Sequence, residues 1–258
     1  MDILLQEERD GVLILTLNRP QAHNALSSEL AEHLYAVLEA TAERRDVRVI
    51  VLLGAGDKAF CAGTDLKERR DLTPDEKWAQ RTRGWRVNQF IWRMPQPVIA
   101  LIHGWCLGGG FELALFCDLR IAAPDAVFSF PEMTLGAYPG SGAAIVLPRT
   151  IGRSRAKELF FTARRVTADE ALELGIVEWV VPREQLLDKA LELAEQIKGT
   201  SPLGVGAVKR MVNLGADLSF DAAADLNDAL RRPLEATKDY EEGIRAFFEK
   251  RKPAFRGE

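Results

Sequence analysis

The chain has 258 residues, enough for one large domain or for a domain with an appendage. Hydrophobic residues make up 47% of it and charged residues 28%, a balance that supports a sizeable core and excludes global disorder. Thirty-eight acids against 34 bases leave a net charge of −4, which argues against a dedicated nucleic-acid binder.

The opening Met1-Asp2-Ile3-Leu4-Leu5-Gln6-Glu7-Glu8 lacks the basic segment and long apolar stretch of a signal peptide, and is too acidic for a transit peptide. Val12–Leu17 is an apolar, β-branched run that stops at Asn18-Arg19-Pro20, so it reads as a strand. Ser27 can cap a helix whose Leu30, Leu34, Val37 and Leu38 fall on one face. Val47–Leu53 is a second strand, apolar enough to be buried on both faces. Val98–Ile102 and Leu119–Ala123 are further strands, and between them Gly108-Gly109-Gly110 opens a helical stretch, Phe111–Cys117. These apolar runs are far too short to span a bilayer, so no membrane partner is expected and a cytoplasmic protein is the default.

The second half turns helical. Thr167-Ala168-Asp169-Glu170 is a capping box, and Gly175 stands where that helix would end. Ile176–Val181 is a short strand, after which Pro182 can open a helix running to Gly199. From Ser201 onward nearly everything reads as helix, with an interruption at Arg232-Pro233. The organisation expected is an α/β core over residues 1–199 and a helical appendage over 200–258, of the kind that packs on a neighbouring subunit.

Several motifs fall short. Cys61, Cys106 and Cys117 are odd in number and form no C-x-x-C, which excludes a disulfide framework or zinc ribbon. Gly54-Ala55-Gly56-Asp57-Lys58-Ala59 mimics a dinucleotide fingerprint, but another glycine turn follows it instead of a helix. Gly199-Thr200-Ser201-Pro202-Leu203-Gly204 has phosphate-loop spacing, yet Val205 occupies the place of the lysine. His23, His33 and His103 are scattered and read as surface or supporting residues, so no metal is expected. Ser141 sits outside any nucleophile elbow and reads as a helix N-cap, although its flanking glycines also suit close backbone approach to a ligand.

Two features remain. One is a pair of glycine turns, Cys61-Ala62-Gly63-Thr64-Asp65 and Leu107-Gly108-Gly109-Gly110. The second opens a helix whose first N–H groups lack intrahelical partners, so two converging amides could hold an anionic oxygen; the alternative is that the glycines only allow tight turns. The other feature is a pair of carboxylates, Glu112 in the first turn of that helix and Glu132 in the apolar Phe128-Ser129-Phe130-Pro131-Glu132-Met133. A carboxyl buried without a partner has a raised pKa, and paired carboxyls near an oxyanion hole suit acid–base work on a carbon α to a carbonyl.

The chain resembles the enoyl-CoA hydratase/isomerase (crotonase) family. The resemblance is carried by Leu17-Asn18-Arg19-Pro20-x-x-x-Asn24-Ala25-Leu26, Phe60-Cys61-Ala62-Gly63-x-Asp65-Leu66 and Gly104-x-x-Leu107-Gly108-Gly109-Gly110-x-Glu112-Leu113-Ala114-x-x-Cys117-Asp118. Phe128-x-x-Pro131-Glu132-x-x-Leu135-Gly136 and the closing Glu242-Gly243-x-x-Ala246-Phe247-x-Glu249-Lys250-Arg251-x-Pro253-x-Phe255 complete it, in order, over nearly the whole chain. The resemblance implies an α/β fold, a spiral of ββα units with a C-terminal helical trimerisation region. A homotrimer or dimer of trimers would follow. It implies an oxyanion hole from the backbone N–H groups of Thr64 and Gly109, with Glu112 and Glu132 as the catalytic pair. The activity would be addition of water to a 2-enoyl-CoA or its reversal, a reaction of fatty acid metabolism, with coenzyme A as part of the substrate and no other cofactor. Ala22, Ala62, Asp65, Leu66, Lys67 and Lys250 would contact the acyl-CoA, Lys250 from an adjacent subunit.

CoA brings phosphates, and two stretches are locally basic. Lys67 to Arg93 holds eight bases against four acids, and Arg245 to Arg256 five against one. Thr64 replaces a common alanine of the family, and Gly140-Ser141-Gly142-Ala143-Ala144-Ile145 replaces its usual run, so the pocket beyond C3 is expected to be reshaped. Trp78, Trp85 and Trp92 recur every seven residues on one helix face, which suits a core stripe. With Trp105, Phe130 and Tyr138 they also allow a bulky, cyclic or aromatic acyl group. Another acyl-CoA reaction on the same scaffold, as isomerase, specialised dehydratase or hydratase-lyase, remains open, as does a non-catalytic RNA-binding or interaction protein.

Overall fold

The computed structural model describes residues 2–258. β1 (Leu4–Arg9) and β2 (Val12–Leu17) form an antiparallel hairpin that pairs Leu4 with Leu17 and Arg9 with Val12. Asp10 and Gly11, both at positive φ, make its two-residue turn. That Asp-Gly pair is a hairpin signal, and it accounts for a first strand that the acidic opening does not suggest. β1 is an edge strand with five of six residues exposed, and its Gln-Glu-Glu-Arg side chains guard the open edge.

α1 (Ser28–Ala42) follows, with Ser27 as its N-cap accepting from the Leu30 N–H, and it buries Leu30, Leu34 and Leu38. The chain then makes successive passes of two strands and a helical segment. β3 (Val49–Gly54) and β4 (Ala59–Cys61) lead to α2 (Leu66–Arg70) and α3 (Pro74–Arg93). β5 (Val98–Ile102) and β6 (Trp105–Leu107) lead to α4 (Gly109–Phe116). β7 (Leu119–Ala122) and β8 (Val127–Ser129) lead through a 3-10 turn, Pro131–Leu135, to α5 (Ala143–Ile151) and α6 (Arg153–Thr162). Each pass leaves one strand in each of two sheets, so the chain winds as the expected ββα spiral.

β9 (Val166–Thr167), α7 (Ala168–Glu173) and β10 (Trp179–Val180) follow, and β10 completes the six-stranded sheet, in the order β1-β2-β3-β5-β7-β10. All its pairings after the hairpin are parallel. The smaller sheet runs β4-β6-β8-β9. Its strands are two or three residues long, too short for a periodicity to be read from sequence. β10 is likewise shorter than the six-residue run at 176–181, because Ile176 and Val177 serve as a buried connection instead.

Alternation within the large sheet builds two cores. Leu13, Leu15, Ile50, Leu52, Ala100 and Ile102 face the layer of α1, α3 and α4, while Val12, Ile14, Val49, Val51, Ile99 and Leu101 face α8 (Leu186–Lys198). Both faces are thus covered, as parallel sheets require. Thr167 caps α7 by accepting from the Glu170 N–H, but the Glu170 carboxylate pairs with Arg164, so only half of the predicted capping box forms. Beyond residue 199 only helices follow: α9 (Pro202–Gly215), α10 (Phe220–Arg231), a 3-10 turn Arg232–Ala236 at the expected proline interruption, and α11 (Lys238–Phe248). Among the described residues no helix is long and apolar enough to cross a membrane, and no cluster of metal-binding side chains occurs.

Candidate active site

The smaller sheet ends in the two glycine turns. After β4 the chain turns at Gly63, and after β6 it turns at Gly108 into α4. The turns lie against each other: a Cβ on Gly63 would stand 3.0 Å from the Gly109 nitrogen, and one on Gly110 would stand 2.2 Å from the Cys61 carbonyl oxygen. Any side chain at 110 would push the two turns apart. Thr64 and Gly109 therefore sit side by side, and the N–H of neither donates to a main-chain acceptor among the described residues. Gly109 is the first residue of α4, where such free donors and the helix dipole favour an oxyanion.

The first loop, residues 18–26, braces this arrangement. Asn24 is fully buried; its Nδ2 donates to the carbonyls of Ala55 and Ala59, and its Oδ1 accepts from the Arg19 N–H. The Ala62 N–H donates to the His23 carbonyl, and the Leu26 N–H to that of Gly63. Ala22 and Ala62 are thereby brought into one neighbourhood beside the Thr64 turn. Asp65 accepts from the Lys67 and Glu68 N–H groups as the N-cap of α2 and pairs with Arg19 at 2.8 Å. Its carboxylate is thus committed to the turn, whereas Leu66 and Lys67 stand exposed on α2. Lys250, at the end of α11, is also exposed and belongs to a different element, which packs on the 232–236 turn of its own chain.

Both carboxylates converge on the glycine turns. Glu112 is 2% exposed, and its Oε1 accepts from the Ser141 N–H at 2.7 Å and the Ala143 N–H at 3.0 Å. Burial pushes its pKa up to about 7, opposed by those two amides and the Arg81 charge and reinforced by the neighbouring Glu132 charge. Glu132 sits in the 3-10 turn after β8; its Oε2 is sealed from solvent with no hydrogen-bond partner, and burial pushes it up to about 7 as well. Gly108 makes room for it, since a Cβ there would lie 2.9 Å from Glu132 Oε2 and the residue adopts φ +49°. Two carboxyls poised near neutrality beside two free amides can move protons on a carbon activated by a polarised carbonyl.

Ser141 is not a helix N-cap; Gly142 takes that position ahead of α5. The close backbone approach suggested by the glycines exists, but the group approached is the Glu112 carboxylate. Trp85 and Trp92 are core residues, edge-on to Phe116 at 5.8 and 5.6 Å, while Trp78 is 67% exposed. Phe130 is buried in a stack with Phe111, and Trp105 lies under Arg165, so neither serves as a ligand platform. His103 is buried, not superficial, with its Nε2 unpaired and its pKa lowered by burial. Arg81 went unremarked in the sequence except as one base in a basic stretch; it lines the same narrow cleft as Thr64, Gly109 and Ser141.

Comparison with known proteins gives a consistent answer. The sequence profile of the enoyl-CoA hydratase/isomerase family matches residues 7–258. The Bacillus subtilis (strain 168) protein YngF, whose name assigns it to the enoyl-CoA hydratases/isomerases, is 42% identical over 255 residues, covering 99% of this chain and 98% of its own. A short-chain-enoyl-CoA hydratase of Clostridium acetobutylicum is 36% identical, covering 96% of this chain and 95% of its own. The crystal structure of an enoyl-CoA hydratase from Bacillus anthracis superposes with a TM-score of 0.97 at 40% identity, covering all of both chains.

Proposed function

Because this chain belongs to the enoyl-CoA hydratase/isomerase family and has the crotonase fold, we propose that it is an enoyl-CoA hydratase, adding water syn across the 2,3 double bond of an acyl-CoA or reversing that step. The observation that carries the reading is the meeting of two buried carboxyls, each raised to about 7, with two unengaged amides. The thioester oxygen accepts from the Thr64 and Gly109 N–H groups, which draws electrons from C3 and holds the enolate that forms. Losing one such donor costs about 10²–10³ in rate in comparable sites.

Glu112, ionised and held by the Ser141 and Ala143 amides, takes a proton from water as its oxygen bonds to C3. Glu132, protonated, delivers its proton to C2. The pair thus starts with one proton and ends with one, now on Glu112, and passing it back through solvent or substrate resets the site. With both groups raised to about 7, one can be protonated while the other is ionised at neutral pH. Retention of both acids favours hydration over double-bond isomerisation, which needs a single carboxyl to carry a proton between carbons.

Coenzyme A is part of the substrate, and the reaction balances without another cofactor. Ala22, Ala62, Asp65 and Leu66 frame its entry through main chain and packing, Asp65 by capping α2, which presents Lys67 to a phosphate. Lys250 serves the site of an adjacent subunit in a homotrimer or dimer of trimers built on the 200–258 region, a reading supported by Phe247 and Phe248 at 78% and 76% exposure. The test is hydration of crotonyl-CoA, followed by loss of the conjugated thioester's absorbance, with a 3-enoyl-CoA assayed alongside. Rapid loss with formation of the 3-hydroxyacyl product supports the reading; conversion of the 3-enoyl-CoA alone would replace it with an isomerase.

A further inference from the structure

Arg81 lies on α3 and lines the cleft together with Thr64, Gly109 and Ser141. No acid forms an ion pair with its guanidinium among the described residues, although its charge reaches the Glu112 carboxyl and opposes that group's raised pKa. Nε donates to the Gly140 carbonyl oxygen, and the charged carbon stands 5.1 Å from the Trp78 ring and 5.5 Å from the Trp85 ring. Neither Nη meets an acceptor among the described residues. Arg19 and Arg120, by contrast, pair with Asp65 and Glu178, whereas Arg48 and Arg183 share with Arg81 a hold by carbonyls alone, away from the site. A planar cation fixed by ring faces and one carbonyl keeps its paired outer donors free, in the geometry that suits a bidentate carboxylate.

The location fixes which part of a substrate can reach it. Gly140, which holds Arg81, directly precedes Ser141, which holds Glu112. Arg81 is therefore tied to the Glu112 side of a narrow cleft that Leu26, Thr64 and Gly109 also line. Resting on the hydratase reading, that side receives the acyl carbons beyond C3, not the CoA phosphates. We propose that Arg81 is a specificity-determining residue that recognises an anionic acyl group, so that the preferred substrate is a 2-enoyl-CoA ending in a free carboxylate.

The physical consequence is discrimination. An acyl chain ending in methyl leaves the guanidinium's donors facing displaced water, whereas a carboxylate satisfies both with charge-assisted bonds. The experiment compares glutaconyl-CoA, the five-carbon 2-enoyl-CoA ending in a carboxylate, with crotonyl-CoA, in the wild type and in Arg81→Gln and Arg81→Lys. The wild type should prefer glutaconyl-CoA in kcat/KM by at least about tenfold. Arg81→Gln should erase the preference, mainly through a raised KM for glutaconyl-CoA, and Arg81→Lys should restore part of it. Efficient hydration of crotonyl-CoA with no preference for glutaconyl-CoA overturns this inference and leaves the hydratase reading standing. An equal loss on both substrates in Arg81→Gln overturns it too, since the arginine would then serve a part common to both. Failure to hydrate either substrate removes the hydratase reading and this inference with it.

Discussion

The strands of the large sheet and the helices after residue 200 bury opposite kinds of side chain. In β3 and β5 nearly every residue is buried, and every buried side chain is aliphatic. In α9, α10 and α11 the buried residues are Lys209, Asp239, Glu242 and Ala246, three of them charged. Their apolar residues point outward: Val208, Val212, Phe220, Phe247 and Phe248 are 62–86% exposed. Lys209 ties α9 to the core through Asp118 at 2.7 Å and the Gln96 carbonyl, while Glu242 gathers Arg251, Arg245 and the Ala254 N–H, which hold its carboxyl well below the usual range. The core closes on its own apolar surface; the terminal helices are docked by polar bonds and leave several large apolar side chains exposed.

The sharpest way to test that contrast begins with two acids set at the edge of the apolar core, Glu112 and Glu132. Glu112→Gln and Glu132→Gln should each lower kcat on crotonyl-CoA by about 10²–10⁴-fold while binding of the CoA product persists. Near-normal turnover by either variant would mean that the core buries its acids for some other reason. Next in size, Phe111→Ala should cost about 3–5 kcal/mol in denaturant unfolding, because that ring is fully buried against Phe128 and Phe130. The matching change in the terminal layer, Phe248→Ala, should stay within about 0.5 kcal/mol for the isolated subunit.

A double change, Phe247→Ser with Phe248→Ser, should reduce the sedimenting mass of the assembly while leaving the subunit's circular dichroism intact. An unaltered mass would show that the outward face is not an interface. The smallest effects concern pH. With one acid required protonated and one ionised, kcat/KM should follow a bell centred near pH 7, from the values of Glu112 and Glu132. Glu132→Gln removes a charge that raises Glu112, so the surviving acid limb should move to lower pH. For stability the sign is the reverse of an ion-paired carboxylate: both groups sit above their ordinary value, so the folded state retains protons the unfolded chain releases. Their contribution is complete below about pH 4.5 and is lost as pH rises towards about 7. Denaturant titrations across that window should show a shallower decline in Glu112→Gln than in the wild type.

Much of the architecture was readable because it depends on local pattern. Ser27 with the Leu30, Leu34 and Leu38 spacing marks α1, and the apolar runs of β2, β3 and β5 mark the large sheet. The smaller sheet was not readable, since a two- or three-residue strand has no period. Among the site residues, the glycine turns and both glutamates stood out through motif and chemistry. Ser141 was misread, because a serine between glycines looks like a cap, and nothing local says that its amide faces a carboxylate 29 positions earlier. His103 read as a surface or supporting residue, and which of the two was not legible because a single polar residue after a strand carries no information about what later covers it.

Residue type and spacing alone thus specified the helices, the long strands and the presence of two acids beside two glycine turns, since each depends on neighbours within a few positions. The raised pKa values of Glu112 and Glu132, the free amides of Thr64 and Gly109, and the unpaired guanidinium of Arg81 exist only once distant segments are packed together. Burial and hydrogen-bond partnership are properties of the surroundings, and those surroundings come from other turns of the spiral.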